Sequence, residues 1–315
     1  MLGNLIFSLS VALPIFLVML TGFILKEKNV INDNFIKAAN FIVFYVALPL
    51  KLFNSVLASN VADNFNLKFM SFIITLTIIS VILVWIVALF FIKEKSKKGA
   101  FIHAGFRGNF VYVGLSLLEN VTGSIGSVAP LIIAFIIPLY NILAVLVLTF
   151  TNKNNKSGNN LLNSLKSMLK NPFIIAIFLG IICSLTGFEL PNLADNTVQY
   201  FSDLATPLAL VTIGATFNLQ QLFANIMPSL IASLVKLVFL PAVMVLSGLL
   251  FSFSNYELFL IYILFGVPSA TVSYIMTAAM GGDRELAASI VMMTTLLSVI
   301  TMTVFVFIFK TIGMV

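Results

Sequence analysis

A proline inside a long apolar stretch is the first sign of chemistry in this sequence. Pro268 lies near the middle of residues 258–280, a run long enough to cross a bilayer as a helix. Because proline lacks an amide hydrogen and clashes with the preceding turn, the helix must kink or break there. Three hydroxyl side chains, those of Ser269, Thr271 and Ser273, surround the break. Unpaired backbone groups at membrane depth are tolerated only in buried or wet places, so the stretch is either a structural kink or a binding site.

A second interrupted stretch lies half a chain away. A shift of 158 residues aligns Pro207 with Pro49 and places residues 265–274 on residues 107–116. The earlier stretch also lies within an apolar segment and carries helix-breaking and polar residues, Gly108 among them. Matched interruptions in two halves of a membrane protein point to a transporter binding site.

The composition defines the class of protein. The chain has 315 residues, of which 60% are hydrophobic and 9% charged, and its mean hydropathy is +1.12. These values predict an integral membrane protein. The net charge of +6 lies in loops between apolar runs and so does not indicate nucleic-acid binding, and the single Cys183 excludes an internal disulfide. No HExxH, GxSxG, P-loop or dinucleotide fingerprint is present, so we expect neither an enzyme nor a bound cofactor or metal.

Ten apolar spans follow one another along the chain. Five fall in each half, and an odd number per half gives the second repeat the opposite orientation. The sequence therefore predicts an all-α protein with two inverted repeats, 1–150 and 172–315, joined by a linker at 151–171. The predicted spans are 2–25, 35–57, 69–92, 101–118, 126–150, 172–187, 197–217, 227–251, 257–281 and 286–309.

The basic residues predict the orientation in the membrane. One set of loops holds twelve Lys and Arg residues, whereas the other set, counted with the chain ends and including Lys51, holds three. The richer set belongs in the cytoplasm, which leaves both termini outside and makes the linker cytoplasmic. Part of the linker, 161–169, could form a short helix on the membrane surface.

Two basic residues belong to neither set of loops, and both fall inside predicted spans. Arg107 lies about 10 Å into the fourth span at about 1.5 Å per residue. Charge within a membrane is costly and usually functional, but Arg107 could also snorkel to the cytoplasmic face. Lys236 lies inside the eighth span. It could be a counter-charge for an anion, a proton-coupling group or one half of a salt bridge.

Asn109 is a sharper candidate, because its carboxamide can both donate and accept hydrogen bonds. If both spans break near the membrane centre, the half-helices that begin near Asn109 and Pro268 direct two positive dipole ends at one point, which predicts an anion site. Carbonyls of the preceding half-helices could hold a coupling ion, Na⁺ or H⁺. The alternative for Asn109 is a hydrogen bond between helices. We expect His103 at the membrane interface and Glu119 in an outer, solvated loop.

Several motifs resemble one transporter family. Residues 40–50 (NFIVFYVALPL), followed by Phe53, resemble the second helix of the auxin efflux carrier family, which includes plant PIN carriers and bacterial malate and malonate permeases. The pattern Arg107-x-Asn109-x-x-Tyr112-x-Gly114 resembles its fourth helix. The remaining matches are Pro138-Leu139-Tyr140-Asn141 with its fifth helix, and Val267-Pro268-Ser269-Ala270, Gly282-Asp283 and residues 294–298 with its last two.

The resemblance implies a fold similar to sodium/proton antiporters and bile acid symporters, in which broken fourth and ninth helices cross. It implies a scaffold of helices 1, 2, 6 and 7, a mobile core of helices 3–5 and 8–10, an elevator mechanism and a homodimer. This family usually has proline after the fourth-helix Gly-Leu pair, whereas here Ser116 follows Gly114-Leu115. The substrate-binding residues to expect are Gly108, Asn109, Tyr112, Asn141, Pro268, Ser269, Ala270 and Thr271, with a charge or coupling role for Arg107 and Lys236.

These observations favour a secondary transporter or uniporter in the cell membrane, with a small organic anion as substrate and the lipid bilayer as surroundings. The anion is auxin-like, a monocarboxylate, or malate- or malonate-like, a dicarboxylate. One alternative is a sodium-coupled symporter of a bile-acid-like solute. Another is a membrane receptor or scaffold that has kept the fold but does not transport.

Overall fold

The computed structural model describes residues 1–58, 66–151, 171–223 and 225–315. Within these ranges the chain is built from α-helices, and one isolated antiparallel bridge joins Gly108 to Ser269. Residues 152–170 of the predicted linker lie outside the described ranges, and so does the predicted short helix at 161–169. Thr151, which the prediction placed in the linker, is the last residue of a helix.

The helices are numbered in chain order, and two of them, α4 and α9, are each divided into two half-helices. A five-residue helix, Leu219–Phe223, which the spans did not anticipate, precedes the eighth. The numbered helices are α1 (Leu2–Glu27), α2 (Asp33–Leu57), α3 (Leu67–Phe91), α4a (Lys95–Phe106), α4b (Phe110–Thr122), α5 (Val128–Thr151), α6 (Pro172–Thr186), α7 (Asn192–Ala215), α8 (Ile226–Leu250), α9a (Asn255–Gly266), α9b (Thr271–Ala279) and α10 (Arg284–Thr311).

Six of these helices, α1, α2, α3, α5, α8 and α10, are long and apolar enough to cross a membrane. The shorter helices α4b, α6 and α9a are apolar as well. The prediction of an all-helical fold is therefore confirmed for the described residues, with six helices as candidate membrane spans. Its finer form, ten spans in two inverted repeats, stays a prediction.

Polar side chains and glycines set the helix ends. The Asn66 side chain accepts from the Phe69 amide at the start of α3. Ser254 and Glu257 form a reciprocal capping box at the start of α9a, which satisfies two otherwise unpaired amides. Gly123 ends α4b with φ of 82°, a left-handed conformation that costs glycine little.

Prolines explain two irregular turns inside long helices. Helix α2 widens to a π turn at Val43–Ala47, just before Pro49, and α8 widens in the same way at Val235–Phe239, just before Pro241. Since proline cannot donate to the preceding turn, a wider turn there loses little hydrogen bonding. The π turn of α8 carries Lys236.

Two sets of helices pack closely. In one, α1 packs on α7, and α6 packs on the second half of α2. In the other, α4a contacts α3, α5 and α10, and α8 contacts α9a and α10. Gly22 of α1 faces the Val211 carbonyl, and Gly180 of α6 lies with its Cβ position 3.1 Å from the Phe53 carbonyl oxygen. The same 158-residue shift relates Gly22 to Gly180 and Phe53 to Val211, so the two contacts repeat each other.

Candidate functional site

The divided helices α4 and α9 cross at their breaks. Between α4a and α4b, the Asn109 amide donates to the Pro268 carbonyl at 2.7 Å. In return, the Ala270 amide donates to the Arg107 carbonyl at 3.0 Å. These two bonds flank the Gly108–Ser269 bridge. They hold two short extended segments against each other, and each segment has one half-helix before it and one after it.

One side of the crossing is occupied by a lysine. A Cβ added at Gly108 would lie 3.0 Å from Lys236 Nζ and 2.9 Å from the Leu264 carbonyl oxygen. Lys236 is fully buried, and its ammonium donates to the carbonyls of Phe265 at 2.9 Å and Phe106 at 3.4 Å. These carbonyls belong to the last turns of α9a and α4a. We call Lys236, Gly108 and these two carbonyls the capped face.

The capped face narrows the alternatives for Lys236. The ion pairs among the described residues are Lys26–Asp33, Lys51–Glu119 and Lys97–Glu94. A salt bridge within the described fold is therefore not its role. Its partners are the negative ends of two half-helices.

The Arg107 side chain extends from the crossing on the side opposite to the capped face. Its backbone is extended, so the side chains of Arg107 and Asn109 share one face, and the Cβ position of Gly108 points to the other. Arg107 is buried, with an exposed fraction of 4%. Its guanidinium donates to Asn141 Oδ1 at 2.9 Å, contacts Met276 Sδ at 3.2 Å, and lies 5.8 Å from the centre of the Tyr140 ring.

These contacts do not fit snorkelling of Arg107. Helix α4a begins at Lys95, not at residue 101 as predicted, so Arg107 follows twelve helical residues. At about 1.5 Å per residue it lies roughly 18 Å along that axis from the first residue of the helix. The result is a buried guanidinium without a carboxylate partner among the described residues.

Asn109 lies beside Arg107, and its side chain is available for a hydrogen bond. It is 5% exposed, and its carboxamide makes no hydrogen bond to a described residue, so the alternative of a helix–helix hydrogen bond is not what this geometry shows. Asn109 also precedes α4b, whose start has no side-chain cap; the start of α9b, after Ala270, lacks one too. First-turn amides of a helix have no partner within it. We call Arg107, Asn109 and these two helix starts the donor face.

The other predicted site residues have different roles. Ser269 is fully buried; its hydroxyl donates to the Ala104 carbonyl at 2.6 Å, and its amide donates to Thr294 Oγ1 at 3.1 Å. It therefore stabilises the crossing. Tyr112 and Thr271 are half-buried, and neither side chain bonds to a described residue. Ser273 is buried with an unpartnered hydroxyl in the described part of the chain.

One sequence-based placement is wrong and another stays a prediction. His103, expected at the membrane interface, is fully buried within the protein, with Nδ1 3.4 Å from Thr277 Oγ1; its depth in the membrane stays a prediction. Glu119, expected in a solvated loop, lies in α4b and pairs with Lys51 at 2.6 Å. Lys51 also donates to Thr206 Oγ1 at 3.0 Å, so this cluster joins α2, α4b and α7. The sequence did hold one signal for this cluster, because Lys51 lies inside the predicted span 35–57.

Comparison with known proteins gives results that cover nearly the whole chain. The pattern of the membrane transport protein family matches residues 7–306. The chain is 24% identical over 300 residues to an uncharacterised transporter of Methanocaldococcus jannaschii, covering 93% of this chain and 96% of that protein. It is 26% identical over 274 residues to a Rhizobium meliloti protein named "Putative malonate transporter", covering 84% of each. An uncharacterised transporter of Methanothermobacter thermautotrophicus is 22% identical over 298 residues, covering 94% of this chain and 96% of that protein.

Proposed function

The chain belongs to the membrane transport protein family, the auxin efflux carrier family that its motifs resemble, and we propose that it is a secondary transporter for a small dicarboxylate such as malonate. The substrate binds at the crossing of α4 and α9. The observation that carries this proposal is the donor face. There, within the described part of the chain, a buried guanidinium without a carboxylate partner and a carboxamide without a hydrogen bond lie beside two helix starts that no side chain caps.

The electrostatics of the crossing favour an anion. Helix starts carry partial positive charge and helix ends partial negative charge. Lys236 bonds to carbonyls at two helix ends, whereas the two helix starts have no capping side chain. An incoming carboxylate would receive hydrogen bonds from amides of the first turns and from Asn109.

Arg107 supports a substrate with two carboxylates. Arg107 and Asn109 are two residues apart in extended backbone, so their Cα atoms are separated by roughly 7 Å. A guanidinium can bind a carboxylate through two parallel hydrogen bonds, which leaves the Asn109 carboxamide for the other end of a short diacid. The Rhizobium relative named for malonate agrees with this class of substrate. An auxin-like monocarboxylate would leave one donor group unpaired.

Transport follows an elevator mechanism in this proposal, with α1, α2, α6 and α7 as a dimeric scaffold and the remaining helices as the moving core. The repeated contacts of Gly22 with Val211 and of Gly180 with Phe53 support two inverted repeats.

We also propose that both termini lie outside the cell membrane. In a Cys183→Ala background, cysteine at Glu189 should react with an impermeant maleimide in intact cells, and cysteine at Asn29 only after permeabilisation; the opposite pattern would reverse the orientation.

The function is tested by solute flux into proteoliposomes that contain the purified protein. We expect saturable uptake of radiolabelled malonate, inhibited by unlabelled malonate and weakly by indole-3-acetate or taurocholate. Uptake no faster than in protein-free liposomes would reject the transporter in favour of a receptor or scaffold. Preferential uptake of indole-3-acetate would assign a monocarboxylate. Sodium-dependent uptake of taurocholate would assign a bile-acid-like solute.

A further inference from the structure

The described partners of Arg107 are all uncharged. Its Nη2 donates to Asn141 Oδ1 at 2.9 Å, its Nη1 lies 3.2 Å from Met276 Sδ, and the Tyr140 ring centre is 5.8 Å from the guanidinium carbon. A thioether sulfur is only a weak acceptor, which leaves the Asn141 oxygen as the strong one. A buried charge is costly unless it is paired. The described residues therefore fix the position of Arg107 but do not neutralise it.

The hydrogen bond from Arg107 to Asn141 restricts how the guanidinium can turn. A guanidinium carries five N–H donors in a rigid planar fork, and the described residues accept from two of them. With Nη2 bonded to Oδ1 and Nη1 against the sulfur, rotation of the plane would break both contacts. The N–H groups that have no described acceptor can meet a carboxylate through two parallel hydrogen bonds.

The residues that hold Arg107 belong to helices that pack on one another. Arg107 directly follows α4a, Asn141 lies in α5 and Met276 lies in α9b. Helix α4a contacts both α5 and α9b. All three helices fall in the proposed moving core, so the arrangement around Arg107 would travel intact during the proposed elevator movement.

We propose that Asn141 is a positioning residue that makes the site select two carboxylates. Its Oδ1 orients the guanidinium and leaves the positive charge of Arg107 uncompensated, so that the second carboxylate of the diacid becomes the counter-ion. The family resemblance implied that Asn141 binds substrate directly, whereas in this proposal it acts through Arg107. The inference rests on the proposed function and adds the residue that determines its substrate class. A carboxylate in place of this carboxamide would have nearly the same shape but would pair with Arg107 itself.

Asn141→Asp tests the proposal, with thermal unfolding and isothermal titration on the same purified protein. Without substrate, the variant should melt at a higher temperature than wild type, because a buried cation gains a partner. Malonate affinity should fall roughly ten- to hundredfold, as expected when charge-assisted hydrogen bonds are lost, while propionate affinity changes little. A residue that only stabilises the fold would not raise the melting temperature and abolish the preference for a diacid together.

Asn54→Asp is the matched control. It introduces the same charge in α2, where the Asn54 amide donates to Gln199 Oε1 at 3.0 Å. Neither Asn54 nor Gln199 contacts Arg107 among the described hydrogen bonds. This variant should leave the affinities for malonate and propionate unchanged.

A double-mutant cycle separates orientation from direct contact with substrate. Asn141→Ala should weaken malonate binding by roughly tenfold in the wild type, but by less than about twofold in an Arg107→Gln background, because coupled residues are not additive. Equal losses in both backgrounds would overturn the inference, and so would an Asn141→Asp protein that melts below wild type. A wild-type protein that binds no malonate would reject the proposed function, while the melting temperature of Asn141→Asp would still decide whether Arg107 lacks a counter-ion.

Discussion

The two faces of the crossing present opposite ends of the same pair of broken helices, and the chain treats them differently. On the capped face, the carbonyls of Phe106 and Phe265 have a donor from the chain itself, Lys236. On the donor face, the Asn109 carboxamide has no partner among the described residues, and Arg107 bonds to an amide oxygen and a thioether sulfur. Buried polar groups are nearly always satisfied, and this difference is the reason we propose the donor face as the ligand site.

Lys51 supplies a contrast with Lys236 in the same molecule. Both lysines are buried, but Lys51 has a carboxylate, Glu119, within 2.6 Å and the Thr206 hydroxyl within 3.0 Å. Lys51, which joins three helices, therefore has an acidic partner. Among the described residues, the hydrogen-bond partners of Lys236 are backbone carbonyls of the crossing helices, which indicates a role tied to the crossing.

Arg107→Gln should have the largest effect, because it removes the cation of the donor face. Losing charge-assisted hydrogen bonds of about 1.5–3 kcal/mol should weaken malonate binding by up to roughly a hundredfold. Binding of a monocarboxylate should fall less. Isothermal titration of the purified protein measures both, with Arg284→Gln, the exposed second arginine at the start of α10, as control. If malonate and the monocarboxylate lost the same affinity, Arg107 would not be the residue that binds the second carboxylate.

Gly108→Ala tests the capped face by crowding it. The added methyl would lie 2.9 Å from the Leu264 oxygen and 3.0 Å from Lys236 Nζ, so the crossing must shift, at a cost of about 1–3 kcal/mol in the free energy of unfolding. Chemical denaturation measures this change. Gly3→Ala, with nothing within 4 Å of the added methyl, should be neutral. A Gly108→Ala protein as stable as wild type would mean that the two segments are not held this closely.

Lys51→Met should have the smallest effect of the three. It breaks a pair whose carboxylate is 36% exposed, so the expected loss is at most about 1 kcal/mol. Malonate affinity should stay the same, because Glu119 lies ten residues beyond Asn109, roughly 15 Å along the helix axis. Glu119→Gln should also leave malonate affinity unchanged. A Lys51→Met protein that no longer binds malonate would remove the contrast between the two lysines.

The sequence predicted the long helices well and their contacts less well. Apolar length located most of the long helices to within a few residues, although α4a begins six residues before its predicted start, and Pro268 and Gly108 located the crossing. The partner of Glu119 is 68 positions away in the chain, and no local pattern reveals such a pair. The sequence singled out Lys236 but not its partners, because these are backbone carbonyls and every residue has one.

The same limit applies to the hydroxyls around Pro268. Ser269, Thr271 and Ser273 looked alike in sequence, but the structure gives them different surroundings. The Ser269 hydroxyl is bonded to Ala104, the Thr271 side chain is half-buried without a bond to a described residue, and the Ser273 hydroxyl is buried without a described partner. Which hydroxyl is left over depends on how α4a packs on α9b, a long-range contact.

The donor face is tested most directly by Asn109→Ala, with malonate binding and thermal unfolding measured on the same purified sample. If Asn109 donates to the substrate carboxylate, its removal costs about 1.5–3 kcal/mol of binding. Affinity should then fall roughly ten- to hundredfold at an unchanged melting temperature. If the carboxamide only joined helices, its removal would cost about 0.6 kcal/mol of stability. Unchanged affinity with a lowered melting temperature would contradict the account.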